Sequence, residues 1–354
     1  MNDTSRPTPA LFSELNENLH ASGLLRSDAR GTIVRLAIWF VMLACLWWAA
    51  WLLASPWLAT GLALAISILQ GQFAFVGHDA SHGSAVDSNW GNRLTGSLAM
   101  GLVAGLCFRE WQHRHLLHHK HCQDEKRDPD MQFGTVFSLS ANARAEKVGL
   151  GRLIAPYQGW YFWPSTLLFA YSLRVFSFIG AARNPKKYAV DLLSVLAHAV
   201  LFVALPLLVG VDAGRVALIY GVSSCFLGLR LATVFTVNHV GMPERIPGAT
   251  HLEHQLATSR NIDNSSWMDW YFGGLNFQIE HHLFPGCPRR RLRRARTRVR
   301  PTLIGEKLHY HETSWSVAVA DVTRHVHRIG RGSLDCSVSP SRRGARSAPR
   351  PFDR

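Results

Sequence analysis

Negative charge is scarce in this chain, and over one long stretch charge of either sign is missing. The 354 residues carry 24 Asp and Glu against 38 Lys and Arg, a formal net charge of +14. Residues 36–77 contain no charged side chain at all. A bilayer-spanning helix needs about 20 mostly apolar residues, so this stretch has room for two. Ser55-Pro56 interrupts it near the middle, as a tight turn between two spans would. Helices are expected over 33–54 and 57–77. A second pair is expected over 190–211 and 215–238, broken at Asp212-Ala213-Gly214-Arg215, with His198 and Arg230 as polar intruders. Cysteine is also sparse. The six (Cys45, Cys107, Cys122, Cys225, Cys287 and Cys336) show neither a C-x-x-C nor a framework spacing. This excludes a disulfide scaffold and points to reduced thiols in a cytoplasm-facing protein. No secretory signal is expected, because the first 30 residues are polar and the first apolar run is too long for a signal core. There is no internal repeat.

Two further apolar stretches are ambiguous. Residues 96–108 are too few to cross. Residues 160–180 are enough, but they carry Pro164, Arg174 and many aromatics. Trp and Tyr prefer the membrane interface, so this stretch is expected to lie on the membrane or dip into it. The basic excess sits in 109–152, 183–187 and 289–300, whereas the opposite turns hold only Arg215. Cytoplasmic loops carry the Lys/Arg excess, so both termini and these segments are expected on the cytoplasmic side. No nucleic-acid partner is expected, since no fold signature for one occurs and the charge flanks membrane segments. The chain divides into a polar segment 1–31 with a short helix near 11–25, a membrane unit 32–287, a basic cytoplasmic extension 288–330 and a disordered tail 331–354. Residues 289–300 hold eight arginines, with Pro301 expected to stop the helix. Its exposed face suits anionic lipid headgroups or bulk water equally.

What the chain does have is histidine, and in three strings: His78-Asp79-Ala80-Ser81-His82, then His115-Leu116-Leu117-His118-His119, then Gln278-Ile279-Glu280-His281-His282. His239 stands alone between the last two. Each string follows an apolar stretch. Spacings of three and four residues put side chains on one helical face. Imidazole suits iron, copper, zinc and nickel, and one zinc site closes at four ligands. These histidines are too many for one such site and about right for two ions with open positions. Asp128-Pro129-Asp130 follows the second string, and carboxylates near metal-bound histidines orient the rings. His113 and His121 are possible outer-shell groups. Two Glu-x-x-His strings, Glu110–His113 and Glu306–His309, match the pattern of soluble di-iron bundles. The second lies away from the histidine strings, and both are read as chance.

Asn276-Phe277-Gln278-Ile279-Glu280-His281-His282-Leu283-Phe284-Pro285, with the order and placement of the other two strings, resembles the membrane fatty acid desaturases. The Q-x-x-H-H form and the segment from Trp111 to Asp130 look most like the acyl-lipid and front-end branch. The resemblance covers about residues 30–330. It implies an all-α integral membrane protein, with four transmembrane helices and a cytoplasmic helical cap holding two iron ions. The ligands it implies are His78, His82, His115, His118, His119, His281 and His282, with His239 as an additional ligand. Gln278 replaces a histidine and would ligate directly, act through water, or not ligate at all. The activity implied is O2-dependent introduction of a C=C bond into an acyl chain carried by a lipid, CoA or acyl-carrier protein. No H-P-G-G string of a fused cytochrome b5 domain occurs, so electrons are expected from a separate ferredoxin, rubredoxin or cytochrome b5. Hydroxylation or ketolation of a lipid, carotenoid or alkane by the same boxes is the alternative, because fold alone does not fix the reaction. A metal transporter is disfavoured, since transporters place ionisable groups near mid-bilayer and these spans are nearly free of them.

Overall fold

The computed structural model describes residues 7–53, 55–132, 136–262 and 265–333. Helices dominate; the one strand pairing among the described residues joins Asn261–Ile262 in parallel to Glu312–Thr313. Five helical stretches are long and apolar enough to cross a membrane: Ala29–Leu52, Pro56–Ser81, Gly149–Ala182, Ala189–Leu208 and Ala213–His239. The expected first pair is present, and its turn works as the sequence suggests. Ser55 caps the second helix through the Leu58 N–H, and Pro56 takes the first helical position, where its missing N–H costs nothing. That helix runs past the apolar stretch to Ser81. The extension carries the first histidine string out of the apolar layer.

Burial separates inner from outer helices. Pro56–Ser81 and Ala213–His239 form the centre, while Ala29–Leu52 exposes Ile33, Val34, Ile38, Val41 and Trp48. The polar intruders are satisfied inside the protein. Arg230 donates to the carbonyls of Ile68 (2.8 Å) and Tyr271 (2.7 Å), and stacks over the Phe75 and Tyr271 rings. Gly71 makes room for it, since a Cβ there would lie 2.6 Å from the guanidinium. His198 pairs with the Leu102 carbonyl and the Tyr220 hydroxyl, each at 2.9 Å. Residues 97–103 form a buried π-helical turn rather than a span.

Gly149–Ala182 is a chain of short helices broken by 3-10 turns at Ala155–Tyr157 and Thr166–Leu168. Its first half underlies the amphipathic helix Trp315–Arg331: Gln158 Nε2 donates to the Val326 carbonyl (2.7 Å) and Trp163 Nε1 to Thr323 Oγ1 (2.8 Å). Its other face exposes Leu150, Leu153, Tyr157 and Trp160.

Above the spans lies a second core. The helix Thr8–Ala21 buries Leu11, Leu15 and Leu19, one every four residues, against Leu252, Leu256, Ile279 and Leu283. Leu292, Ala295, Val299 and Leu303 join the same cluster from the arginine-rich helix Leu292–Gly305. That helix corrects one expectation: Pro301 lies inside it and does not end it. The run is also no uniform basic face. Arg289 is buried against Asp79, Arg293 pairs with Asp269, and Arg296 and Arg300 hold Glu312. Of the tail, 334–354 lies outside the described residues.

Candidate metal centre

The three strings and His239 converge into two adjacent groups. The first holds His78, His82, His115, His119 and His281; the second holds His118, Cys122, His239 and His282. Helical geometry explains the division. His115 and His119 are four apart on Phe108–His121 and face the first group, while His118, about 100° round the helix from its neighbour, faces the second. His281 and His282 are adjacent on Gln278–Leu283 and diverge in the same way. His78 sits in the last turn of Pro56–Ser81, His82 caps it, and His239 ends Ala213–His239.

In the first group the Nε2 atoms face one another. His115 Nε2 lies 3.0 Å from His82 Nε2, 3.0 Å from His78 Nε2 and 3.1 Å from His119 Nε2, and His119 Nε2 lies 3.0 Å from His281 Nε2. A neutral imidazole offers one N–H and one lone pair, so hydrogen bonds cannot satisfy His115 against three such neighbours. A cation can. Donor atoms at right angles around an ion, each at the usual imidazole distance of about 2.1 Å, lie about 3.0 Å apart. In the second group the rings are held from behind. His118 Nδ1 lies 3.0 Å from both oxygens of Asp128, His239 Nδ1 3.0 Å from the Thr258 carbonyl, and His282 Nδ1 2.9 Å from Gln255 Oε1. A ring that donates from Nδ1 keeps its Nε2 lone pair for a metal. His282 Nε2 is buried with no hydrogen-bond partner among the described residues. Both donor sets therefore fit metal ions.

Electrostatics agree. Burial pushes His82 down to about 3, helped by the charge of His118. Burial, then neighbouring imidazoles, holds His115, His119, His281 and His282 well below the ordinary histidine value. These rings stay neutral, as a ligand must be. His118 differs: burial lowers it, but the Asp128 and Asp130 carboxylates outweigh that and bring it to about 9. A carboxylate in that position makes His118 the most basic donor of the set.

Gln278 lies beside the second group, its Nε2 2.8 Å from His239 Nε2 and its Oε1 accepting from Asn238 Nδ2 at 3.1 Å. Asp128 takes the orienting place expected of it. His113 is exposed and His121 meets Arg245 (3.0 Å), so neither joins a group. Neither Glu-x-x-His string contributes to either group. Sequence reasoning missed Cys122, Gln255 and Thr258. Cys122 is four residues after His118, a spacing that marks the shared face. Its Sγ lies 3.4 Å from His239 Nδ1. Nothing in the sequence marks Gln255, which both accepts from His282 and donates to the His119 carbonyl (2.9 Å). Glu280 points away from the groups, accepting from Asn261 Nδ2 (2.8 Å) and the Tyr310 hydroxyl (2.5 Å).

Comparison with known proteins agrees with this arrangement. The family model described as fatty acid desaturase matches residues 55–314. The chain is 28% identical to Delta(8)-fatty-acid desaturase 2 of Arabidopsis thaliana, over 89% of this chain and 72% of that protein. It is 31% identical to Acyl-lipid (9-3)-desaturase of Borago officinalis, over 70% of this chain and 58% of that protein. With Fatty acid desaturase 3 of Homo sapiens the identity is 28%, over 82% and 65%. The chain thus spans between about three fifths and three quarters of these relatives' lengths. With three histidine strings folded into two facing groups, and a family match covering most of its length, the chain belongs to the fatty acid desaturase family.

Proposed function

We propose that the protein is a membrane-bound, O2-dependent acyl desaturase that uses two histidine-held irons and electrons from a separate donor. The observation that carries the reading is the pair of inward-facing nitrogen sets, buried and adjacent. His78, His82, His115, His119 and His281 would hold one ion. His118, His239 and His282 would hold the other, beside Gln278. When bound, such ions supply the O2-derived oxidising power that breaks an unactivated C–H bond, which no side chain can do by acid–base chemistry. Burial holds His82, His115, His119, His281 and His282 neutral and excludes bulk water, the carboxylates beside His118 make it the most basic donor, and Asp128, Thr258 and Gln255 orient the rings of the second group. In Gln278 the amide oxygen is already engaged by Asn238, and the amide nitrogen faces the metal-side nitrogen of His239. That favours a role in holding a water beside the ion over ligation through oxygen.

The balance is one O2, two external electrons and two protons, with two hydrogens removed from adjacent methylenes, giving one C=C bond and two waters. The substrate is an acyl chain on a lipid, CoA or acyl-carrier protein. The relatives' names point to acyl-lipid and fatty acid desaturation. A four-span topology with the histidines cytoplasmic supports this reading. His118 and His239 share a group, so the chain between them crosses an even number of times, and three candidate spans lie there. Gly149–Ala182 is the one to exclude. Its first half lies against a helix bearing Asp321, Arg324 and Arg328. Its remaining 14-residue helix, Phe169–Ala182, reaches about 21 Å, short of a hydrocarbon core of about 30 Å. Expression in a host lacking the activity, followed by lipid mass spectrometry with double-bond location, tests the function. Loss of two hydrogens is expected; gain of an oxygen would make the protein a hydroxylase.

A further inference from the structure

Electrons must reach the two histidine groups from outside the chain if the desaturase reading holds, and this inference rests on that reading. One short way in is the end of the Phe108–His121 helix. His118 and His119 belong to the groups, and the next residue, Lys120, is already exposed. Loop 240–250 closes over this end: the Arg245 N–H donates to the Gln123 carbonyl (3.1 Å) and the Arg245 guanidinium meets His121 (3.0 Å). Beneath the patch, Gln123 donates to the His239 carbonyl, and Gln255 joins the His282 ring to the His119 carbonyl.

The patch has the chemistry of a docking face. Arg245 meets His121 and pairs more loosely with Asp124 (3.8 Å), and Lys120 and Arg127 stand exposed nearby. Glu244 interacts instead with Glu125, which is turned to Ser140, Asn142 and the Ala143 N–H. Next to Arg245, Ile246 is 53% exposed, an apolar side chain inside a cationic rim. A second, independent feature lies below. His254 is only 5% exposed, yet neither ring nitrogen has a hydrogen-bond partner among the described residues. Its charged neighbours are Arg245, Asp124, His251 and His121. Buried polar groups are nearly always paired, and this ring lies directly under the Arg245 side of the patch. The arginine-rich helix is the rival cationic surface. Most of its arginines are spent on Asp79, Asp269, Glu312 and backbone carbonyls, leaving Arg290, Arg294 and Arg298 exposed.

We infer that the surface around Lys120, Arg127, Arg245 and Ile246 docks an acidic one-electron carrier protein, whose carboxylates meet the cationic rim. Two reduced carriers would be oxidised per turnover, one electron each, with two protons drawn from solvent. The test is stopped-flow re-oxidation of a reduced, acidic [2Fe–2S] ferredoxin, and separately of reduced cytochrome b5, by the iron-loaded protein in detergent under O2. The double variant Lys120→Glu/Arg245→Glu should slow the second-order phase about tenfold or more and flatten its salt dependence, because opposed charges steer encounter. Arg294→Glu/Arg298→Glu makes the same charge change elsewhere and should stay within about twofold. Iron content and reduction by dithionite, measured on each variant, show whether the centre is intact. Lys120→Gln/Arg245→Gln, with a smaller loss of rate in the same direction, serves if the reversal fails to load. Equal slowing by both charge-reversed pairs, or a parent that oxidises neither carrier, overturns the inference. So does a Lys120/Arg245 variant that loses only its binding to anionic phosphatidylglycerol vesicles, which would make this a lipid surface. Lipid product analysis is scored separately, so a protein that accepts electrons at this face but makes no double bond refutes the desaturase reading and not the docking face.

Discussion

Asp128 shows what a single buried carboxylate does here. Both its oxygens lie 3.0 Å from His118 Nδ1, and the N–H groups of Gln123 and Asp130 hold it in place. Asp128→Asn keeps the shape but removes the charge that orients and strengthens the His118 donor. Loss of such a partner typically costs about 10–100-fold in metal affinity; iron titration of the purified variant should show a loss of that order, and unchanged affinity would leave Asp128 a turn-former only. Gln278→Leu removes the amide beside His239 at nearly constant volume. Turnover should fall severely while iron content holds, because the amide oxygen is spent on Asn238. Loss of iron would instead make Gln278 a ligand, and parental turnover would make it a bystander. At this scale the sequence is informative because spacing is geometry. Three- and four-residue intervals put His78 with His82, and His115 with His118 and His119, on shared helical faces, and all of them join the two groups. It does not say which group each joins, since the division of His281 from His282 depends on how a six-residue helix is rotated by its packing. Gln255 and Thr258 are invisible for the same reason: their roles come from a tertiary approach that no periodicity encodes.

Among elements, apolar runs and their breaks are legible, while the cap is legible only in part. A helix near the N-terminus follows from the sequence; that Leu11, Leu15 and Leu19 seal the third histidine string does not. Leu15→Ala should cost about 2–5 kcal/mol, as deletion of a buried leucine side chain does, and lower the thermal midpoint of the detergent-purified protein; an unchanged midpoint would mean the helix is not docked. The strand pairing of Asn261 with Glu312 is short, but it ties the third string to the arginine-rich helix. Asn261 Oδ1 accepts the Ile279 N–H (2.9 Å) while its Nδ2 reaches Glu280. Burial lifts Glu280 to about 7, with Tyr310 and Asn261 donating against that trend. Tyr310→Phe removes one of two side-chain donors to this buried carboxyl, a cost of about 1.5–3 kcal/mol. A lower melting midpoint is expected from thermal scanning, with Asn261 still in place; an unaltered one would show that the carboxyl finds another donor. Pro301 is tolerated inside its helix while the flanking Val299 and Leu303 stay buried, so packing overrides a local stop signal that the sequence alone makes persuasive.

For the whole molecule the deciding feature is which stretches cross, and it depends on more than length and hydropathy. They nominate five stretches, and the four-span reading depends on contacts between distant parts. The decisive position is the segment between Gly149–Ala182 and Ala189–Leu208, where Arg183, Lys186 and Lys187 are exposed. If Gly149–Ser165 lies in the membrane plane under Trp315–Arg331, a reporter inserted after Asn184 reads cytoplasmic, as does one near Gln123. One inserted after Gly210 reads opposite. If Gly149–Ala182 crosses instead, the Asn184 reporter switches sides, and one of the two following helices must fail to cross, because His118 and His239 meet. The exposed face of Leu150, Leu153, Tyr157 and Trp160 argues for the first outcome. An in-plane helix presents aromatic and apolar side chains to lipid on one side only, and the other side of this one is occupied by Gln158 and Phe162 against the C-terminal helix. A cytoplasmic reading at Asn184 keeps every basic segment on the side the histidines occupy; an external reading there would put Arg183, Lys186 and Lys187 across the membrane, against the positive-inside bias, and would replace one of the last two assigned spans with Gly149–Ala182.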